Sequence, residues 1–140
     1  MTIITEKYSR GKSPWNHFSF KELMCKCGCG TMKMDSLFMD KLEELRVNLA
    51  LPIYLSSAYR CPKHNDKVSK SGSNGPHTTG RAVDIICYGD RADVILGIAY
   101  GLGGFSGKGI YQKNKTMSNR FIHLDDLPKS NHRHRPWLWG

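Results

Sequence analysis

Two histidines and one aspartate lie where this sequence could build a metal site. His77 sits in Gly75-Pro-His-Thr-Thr-Gly-Arg-Ala-Val-Asp84, just before a tight glycine turn, and Asp84 follows it among Ala82, Val83, Ile85 and Ile86. A carboxylate in so apolar a run is costly unless it is paired or bound to a cation. His123 falls in a similar setting, Phe121-Ile-His-Leu-Asp125, with Asp125 two residues on and therefore on the same face of a strand. Two histidines and one carboxylate form a known ligand set for catalytic zinc, with a fourth position left for water. On the residues alone, each has an ordinary alternative. A strand histidine is often a hydrogen-bonded core residue, and Asp84 has Arg60 and Arg81 within the same chain region as pairing partners.

The surrounding pattern predicts the elements that would hold these residues. Phe18-Ser-Phe-Lys-Glu-Leu23 reads as a short helical turn, with Ser19 and Glu22 in capping-box spacing. From Asp35, the apolar residues Leu37, Phe38, Leu42, Leu45 and Leu49 recur at helical steps, and Pro52 follows. Ile53–Ser57 reads as a strand, 61–80 as a long functional loop, and Arg81–Cys87 as a second strand. Asp90 is expected to cap a helix that uses Val94, Ile95, Ile98 and Ala99 and stops at Gly101–Gly104, before strands at Phe105–Tyr111 and Arg120–Asp125. Helices and strands alternate without regular parallel crossovers. The expected fold is α+β, a single domain with a small antiparallel sheet and flanking helices, preceded by a polar lead-in at residues 1–17.

Length and charge limit the partners. A chain of 140 residues fits one compact core, and 21 Lys and Arg against 12 Asp and Glu give a net charge of +9, which favours a polyanion. No helix-turn-helix or aromatic RNA-binding pattern is present, so nucleic acid is not the expected partner. No run of apolar residues is long enough for membrane insertion. The five cysteines are an odd set: Cys25, Cys27 and Cys29 alternate, while Cys61 and Cys87 are isolated. A second, structural metal would draw on two of the first group plus Cys61, but the paired spacing of a zinc clip is not repeated, and buried or loop thiols are the expectation.

Four blocks taken together resemble the zinc D-Ala-D-Ala carboxypeptidase family, whose fold the hedgehog signalling domain shares. They are Ser56-Ser-Ala-Tyr-Arg-Cys-Pro-Lys-His-Asn65, His77-Thr-Thr-Gly-Arg-Ala-Val-Asp84, Phe121-Ile-His-Leu-Asp125 and Arg135-Pro-Trp-Leu-Trp139. The resemblance implies a zinc ion held by His77, Asp84 and His123, with Arg60 engaging substrate; Ser57, at the end of the strand before it, joins the expected substrate contacts. Arg60 also has a structural alternative, an ion pair with Asp84 or Asp66. The sequence departs from the family at one position: many relatives carry a catalytic carboxylate three residues before the last zinc histidine, where this chain has Arg120. Asp125 is the expected replacement as general base, with Asp126 and His132 behind it, although Asp125 would equally suit an acceptor that orients His123.

The implied activity is zinc-dependent hydrolysis of an amide in peptidoglycan stem or cross-bridge peptides by a monomer, of the kind used by phage or prophage lytic enzymes. The rival is a non-catalytic zinc-binding domain of the same fold that binds the cell wall or serves in a virion. The first residues, Met1-Thr-Ile-Ile-Thr-Glu-Lys7, lack the features of a secretory signal. The expected route is therefore synthesis in the cytoplasm and action on the wall after release through a pore or as part of a virion. Trp137 and Trp139 read as a packed C-terminal cap or as carbohydrate-stacking rings, and Lys129–Arg135 as a solvated basic stretch that could help hold an anionic wall.

Overall fold

The computed structural model describes residues 3–6 and 13–140. Helix α1 (Phe20–Leu23) forms as its sequence predicts: Ser19 Oγ accepts from the Glu22 amide at 3.2 Å, and Glu22 Oε2 accepts from the Ser19 amide at 3.3 Å. Helix α2 (Ser36–Leu49) is capped by Asp35, which accepts from the Phe38 amide. It buries Phe38, Met39, Leu42, Leu45 and Leu49 against α4 (Gly89–Leu102), while Leu37 faces solvent. Helix α4 starts one residue before Asp90, so Asp90 lies in the first turn rather than at the cap, where Tyr88 makes no side-chain bond.

The main sheet has five strands: β3 (Leu55–Ser57), β4 (Ala82–Ile86), β5 (Gly107–Tyr111), β6 (Phe121–Asp125) and β7 (Trp137–Trp139), in the order β3-β4-β6-β5-β7. The first four pair antiparallel, as expected. The last does not: β7 runs parallel to β5, which makes the sheet mixed. Alternation along the two central strands divides the residues between its faces. Val83, Ile85, Ile122 and Leu124 enter the hydrophobic core with α2 and α4, and Asp84, His123 and Asp125 project from the other face. Each aliphatic side chain buried in this way contributes about 1.5–3 kcal/mol, so the core supplies the rigidity that the polar face needs.

Two expectations change. Residues 1–17 are not all lead-in: β1 (Ile3–Glu6) pairs antiparallel with β2 (Met32–Asp35), and Trp15 is packed in the core; residues 7–12 lie outside the described residues. The segment 61–80 is not an open loop. Cys61 caps α3 (Pro62–Val68), whose proline occupies the first turn, where its missing N–H costs nothing, and short 3₁₀ turns follow at Gly72–Asn74 and Pro76–Thr79. No helix among the described residues is long and apolar enough to cross a membrane.

Candidate metal centre and active-site cleft

Strand register builds the site from single rows of residues. One row crosses the whole sheet, pairing Ser57 with Asp84, Asp84 with His123, His123 with Gly109 and Gly109 with Trp139. The next row pairs Ala82 with Asp125, Asp125 with Gly107 and Gly107 with Trp137. Directly opposed residues stand about 5 Å apart at Cβ, so side chains in one row meet. His77 is delivered from outside the sheet by the Pro76–Thr79 turn. That turn ends at Gly80 with φ +77°, and a Cβ there would run into the Lys33 backbone carbonyl, so the close crossing over β2 requires glycine. Backbone bonds from the Asp35 amide to the Gly80 carbonyl and from the Arg60 amide to the His77 carbonyl hold the turn in place.

Three ligand atoms converge: His77 Nε2 lies 3.2 Å and His123 Nδ1 3.0 Å from Asp84 Oδ1. The other nitrogen of each ring is already committed. His77 Nδ1 is 2.7 Å from the Ala58 carbonyl and His123 Nε2 is 2.8 Å from Asp125 Oδ2, both of which accept, so both tautomers are set with the lone pair turned toward Asp84. Three acceptors facing one another in a buried site repel unless a proton or a metal ion lies between them. Tetrahedral ligands at zinc distances stand roughly 3.3 Å apart, and the observed spacings match. The donor set therefore fits zinc, which His77, Asp84 and His123 would hold.

With no ion between them the same groups hold a proton, so a metal taken up here displaces the proton that His123 shares with Asp84. Burial raises the cost of an Asp84 carboxylate, but His77 and His123 outweigh it and hold its pKa well below the usual range. Burial likewise opposes a charged His123, yet the carboxylates of Asp125 and Asp84 prevail and push its pKa up to about 8. Asp125 is held well below the carboxylate range against its own burial by His123 and Arg135.

Asp125 and Arg135 make a clamp. Arg135 Nε donates to Asp125 Oδ1 at 2.9 Å, and a terminal nitrogen donates to Oδ2 at 2.7 Å. The Leu127 amide donates to Oδ1 as well, and Asp125 is 0 % exposed. This places Asp125 behind His123 rather than in the cleft, which is the orienting role and not that of a base in contact with water. Asp126 is tied up too, accepting from Lys41 and Arg81, so Arg81 serves Asp126 and not Asp84. His132 is exposed and does not line the cleft.

An open cleft of about 470 Å³ leads to the three ligands. Arg60 lies on its wall, with Nε donating to Ser57 Oγ at 2.9 Å, NH1 to Asn65 Oδ1 at 3.1 Å and NH2 3.4 Å from Asp84 Oδ2. Ser57 is buried and positions Arg60 instead of facing the cleft; Asp66 is not its partner. Asn65, unremarked in the sequence, is fully buried and ties Arg60 to the Ser71–Gly72 turn. Trp139 packs 5.3 Å from the His123 ring and donates to the Tyr111 hydroxyl, while Trp137 is half exposed on the cleft wall. The C-terminal strand is thus both cap and cleft wall. Its signal was the Gly107-x-Gly109 pair, because a Cβ at Gly109 would stand 2.7 Å from the Trp139 ring and one at Gly107 would overlap the Asp125 carboxylate.

No curated protein matches the chain in a sequence comparison. A family model described as Peptidase M15 matches residues 16–125, a span that contains Arg60, His77, Asp84 and His123 and stops just before the Arg135 clamp. The match covers most of the chain and takes in the three residues that converge at the centre, and the chain belongs to the peptidase M15 family of metallopeptidases.

Proposed function

We propose that this peptidase is a zinc enzyme that hydrolyses an amide bond in peptidoglycan stem or cross-bridge peptides, in the manner of phage or prophage lytic enzymes. The observation that carries the zinc assignment is the convergence of three lone pairs, at His77 Nε2, Asp84 Oδ1 and His123 Nδ1, whose neighbouring N–H groups are already used. When bound, zinc supplies a water with a pKa near 7 and polarises the amide carbonyl. The chain's own residues do the rest. Arg60, held by Ser57 and Asn65, presents its guanidinium beside the ligands, where it can meet a substrate carboxylate or a developing oxyanion. Lys70 adds a second positive charge to the wall, which suits the free carboxylates of such peptides. Asp125 and Arg135 keep the His123 ring turned to the metal.

Among the described residues lining the cleft, Asp84 is the only carboxylate, and Arg120 donates to the Asn114 carbonyl away from it. That observation favours the second reading, a zinc-bearing domain that binds the wall without cutting it. Digestion of purified peptidoglycan, read by mass spectrometry of released peptides, separates the two. The expected result is peptide release that a chelator abolishes, that zinc restores and that His77→Ala lacks. Release indifferent to chelator overturns the zinc reading, and wall binding with no release at any zinc level overturns the catalytic one.

A further inference from the structure

Four of the five cysteines meet at one point, on a part of the molecule the cleft does not use. Cys25 Sγ lies 3.4 Å from Cys27 Sγ and 3.7 Å from Cys61 Sγ, and Cys27 Sγ lies 3.7 Å from Cys61 Sγ. Cys29 completes the group, with all four sulfurs within 4.8 Å of one another. No pair is bonded. A disulfide would draw two sulfurs to about 2.05 Å and set them apart from the rest, whereas here each contact is shared. Four thiolates around one zinc, with bonds of about 2.3 Å, stand roughly 3.8 Å apart at the corners of a tetrahedron. The observed spacings approach that figure.

The backbone is shaped for the same purpose. The segment reverses direction within five residues, aided by Gly28 at φ +91°, and the Cys25 amide donates to the Thr31 carbonyl to close the turn. Two backbone amides point at sulfur, Cys61 N–H toward Cys25 Sγ at 3.3 Å and His64 N–H toward Cys61 Sγ at 3.4 Å. Such donors stabilise thiolates that ligate a metal. Soft, four-sulfur, tetrahedral surroundings select zinc or iron over hard cations.

We infer that Cys25, Cys27, Cys29 and Cys61 hold a second, structural zinc ion, distinct from the one in the cleft. This reverses the expectation of free thiols for these four and leaves it standing for Cys87, which is buried away from them. The paired spacing was missing from the sequence because the fourth ligand comes from the cap of α3, 32 residues beyond Cys29. The consequence is mechanical: the ion joins the turn before β2 to Cys61, the residue next to Arg60, and so fixes the segment from which Arg60 reaches the cleft.

The test is metal content of the full chain, purified under reducing conditions and washed free of loose metal. Wild type is expected to carry two zinc per chain, and Cys29→Ser and His77→Ala one each. After cobalt replacement, sulfur-to-cobalt charge-transfer absorption is expected in wild type and in His77→Ala but not in Cys29→Ser. A mercurial titration of wild type alone, followed with a metallochromic dye, is expected to release one zinc as four thiols react, which keeps the inference testable if a variant fails to fold. A single zinc that His77→Ala removes entirely, thiol modification without zinc release, intact masses showing disulfides, or iron in place of zinc would each overturn it. Loss of zinc from His77→Ala but not Cys29→Ser, or the reverse, tells failure of one site from failure of the other.

Discussion

Asp125 shows how one residue's surroundings decide between two chemistries that its sequence position allows equally. Four N–H groups point at its oxygens, from His123, Leu127 and twice from Arg135, so no lone pair is free for a water in the cleft. Asp125→Asn keeps an acceptor for His123 Nε2 but weakens the hold of a carboxylate on both the ring and Arg135, whose side chain is 6 % exposed. The expected outcome is a roughly 10- to 100-fold loss of zinc affinity, with turnover restored by excess zinc. A general base lost from the reaction would instead cost about 10²-fold or more at every zinc concentration. Rate measured against added zinc, with affinity from chelator competition, distinguishes the two. His77, Asp84 and His123 were legible because their types and the apolar runs around them are local signals. Asp125's role was not, because it depends on Arg135, which reads in sequence as part of a basic stretch and is in the structure a buried ion-pair partner.

At the scale of elements, legibility followed the range of the interaction that makes each one. The capping box of α1 and the apolar stripe of α2 are local, and both appear where the sequence puts them. Strand β1 and the parallel strand β7 depend on partners far along the chain and carry no local signal; helix α3 is itself local, capped by Cys61 with Pro62 in its first turn, but the polar, glycine-rich composition of 61–80 reads as loop. The glycines of β5 are the same lesson in reverse, since their reason lies on neighbouring strands. Gly107→Ala would press a methyl group against a carboxylate that His123 and Arg135 prevent from yielding, and is expected to cost about 1–3 kcal/mol along with zinc affinity. Gly97→Ala, in the exposed middle of α4 with nothing near its added Cβ, is expected to stabilise by about 1 kcal/mol. Thermal unfolding of the two variants should therefore move in opposite directions. Unchanged stability and zinc affinity in Gly107→Ala would mean that β5 tolerates a side chain and that the site does not need its glycines.

Across the whole molecule, the charge of +9 is not spent at the metal centre. Arg81 and Lys41 neutralise Asp126, and Arg135 neutralises Asp125, so the basic stretch Lys129–Arg135 loses its last member to the interior. The free positive charge is carried by exposed lysines instead, among them Lys63, Lys67 and Lys70 on and beyond α3, with Lys70 on the cleft wall. Under the proposed function, a field of this sign would concentrate the enzyme on a wall bearing acidic polymers, acting over about a Debye length, near 10 Å at 0.1 M salt. It adds little for a small soluble peptide, which reaches the cleft by diffusion and is held by contacts at close range. Raising the salt from low to several tenths molar is therefore expected to slow release from intact walls severalfold while changing hydrolysis of an isolated stem peptide much less. Replacing Lys63 and Lys67 with glutamate should weaken wall binding in the same direction, with the rate on the isolated peptide kept. Equal salt sensitivity on both substrates would place the charge effect inside the cleft, at Arg60 and Lys70, rather than on the surface that meets the wall.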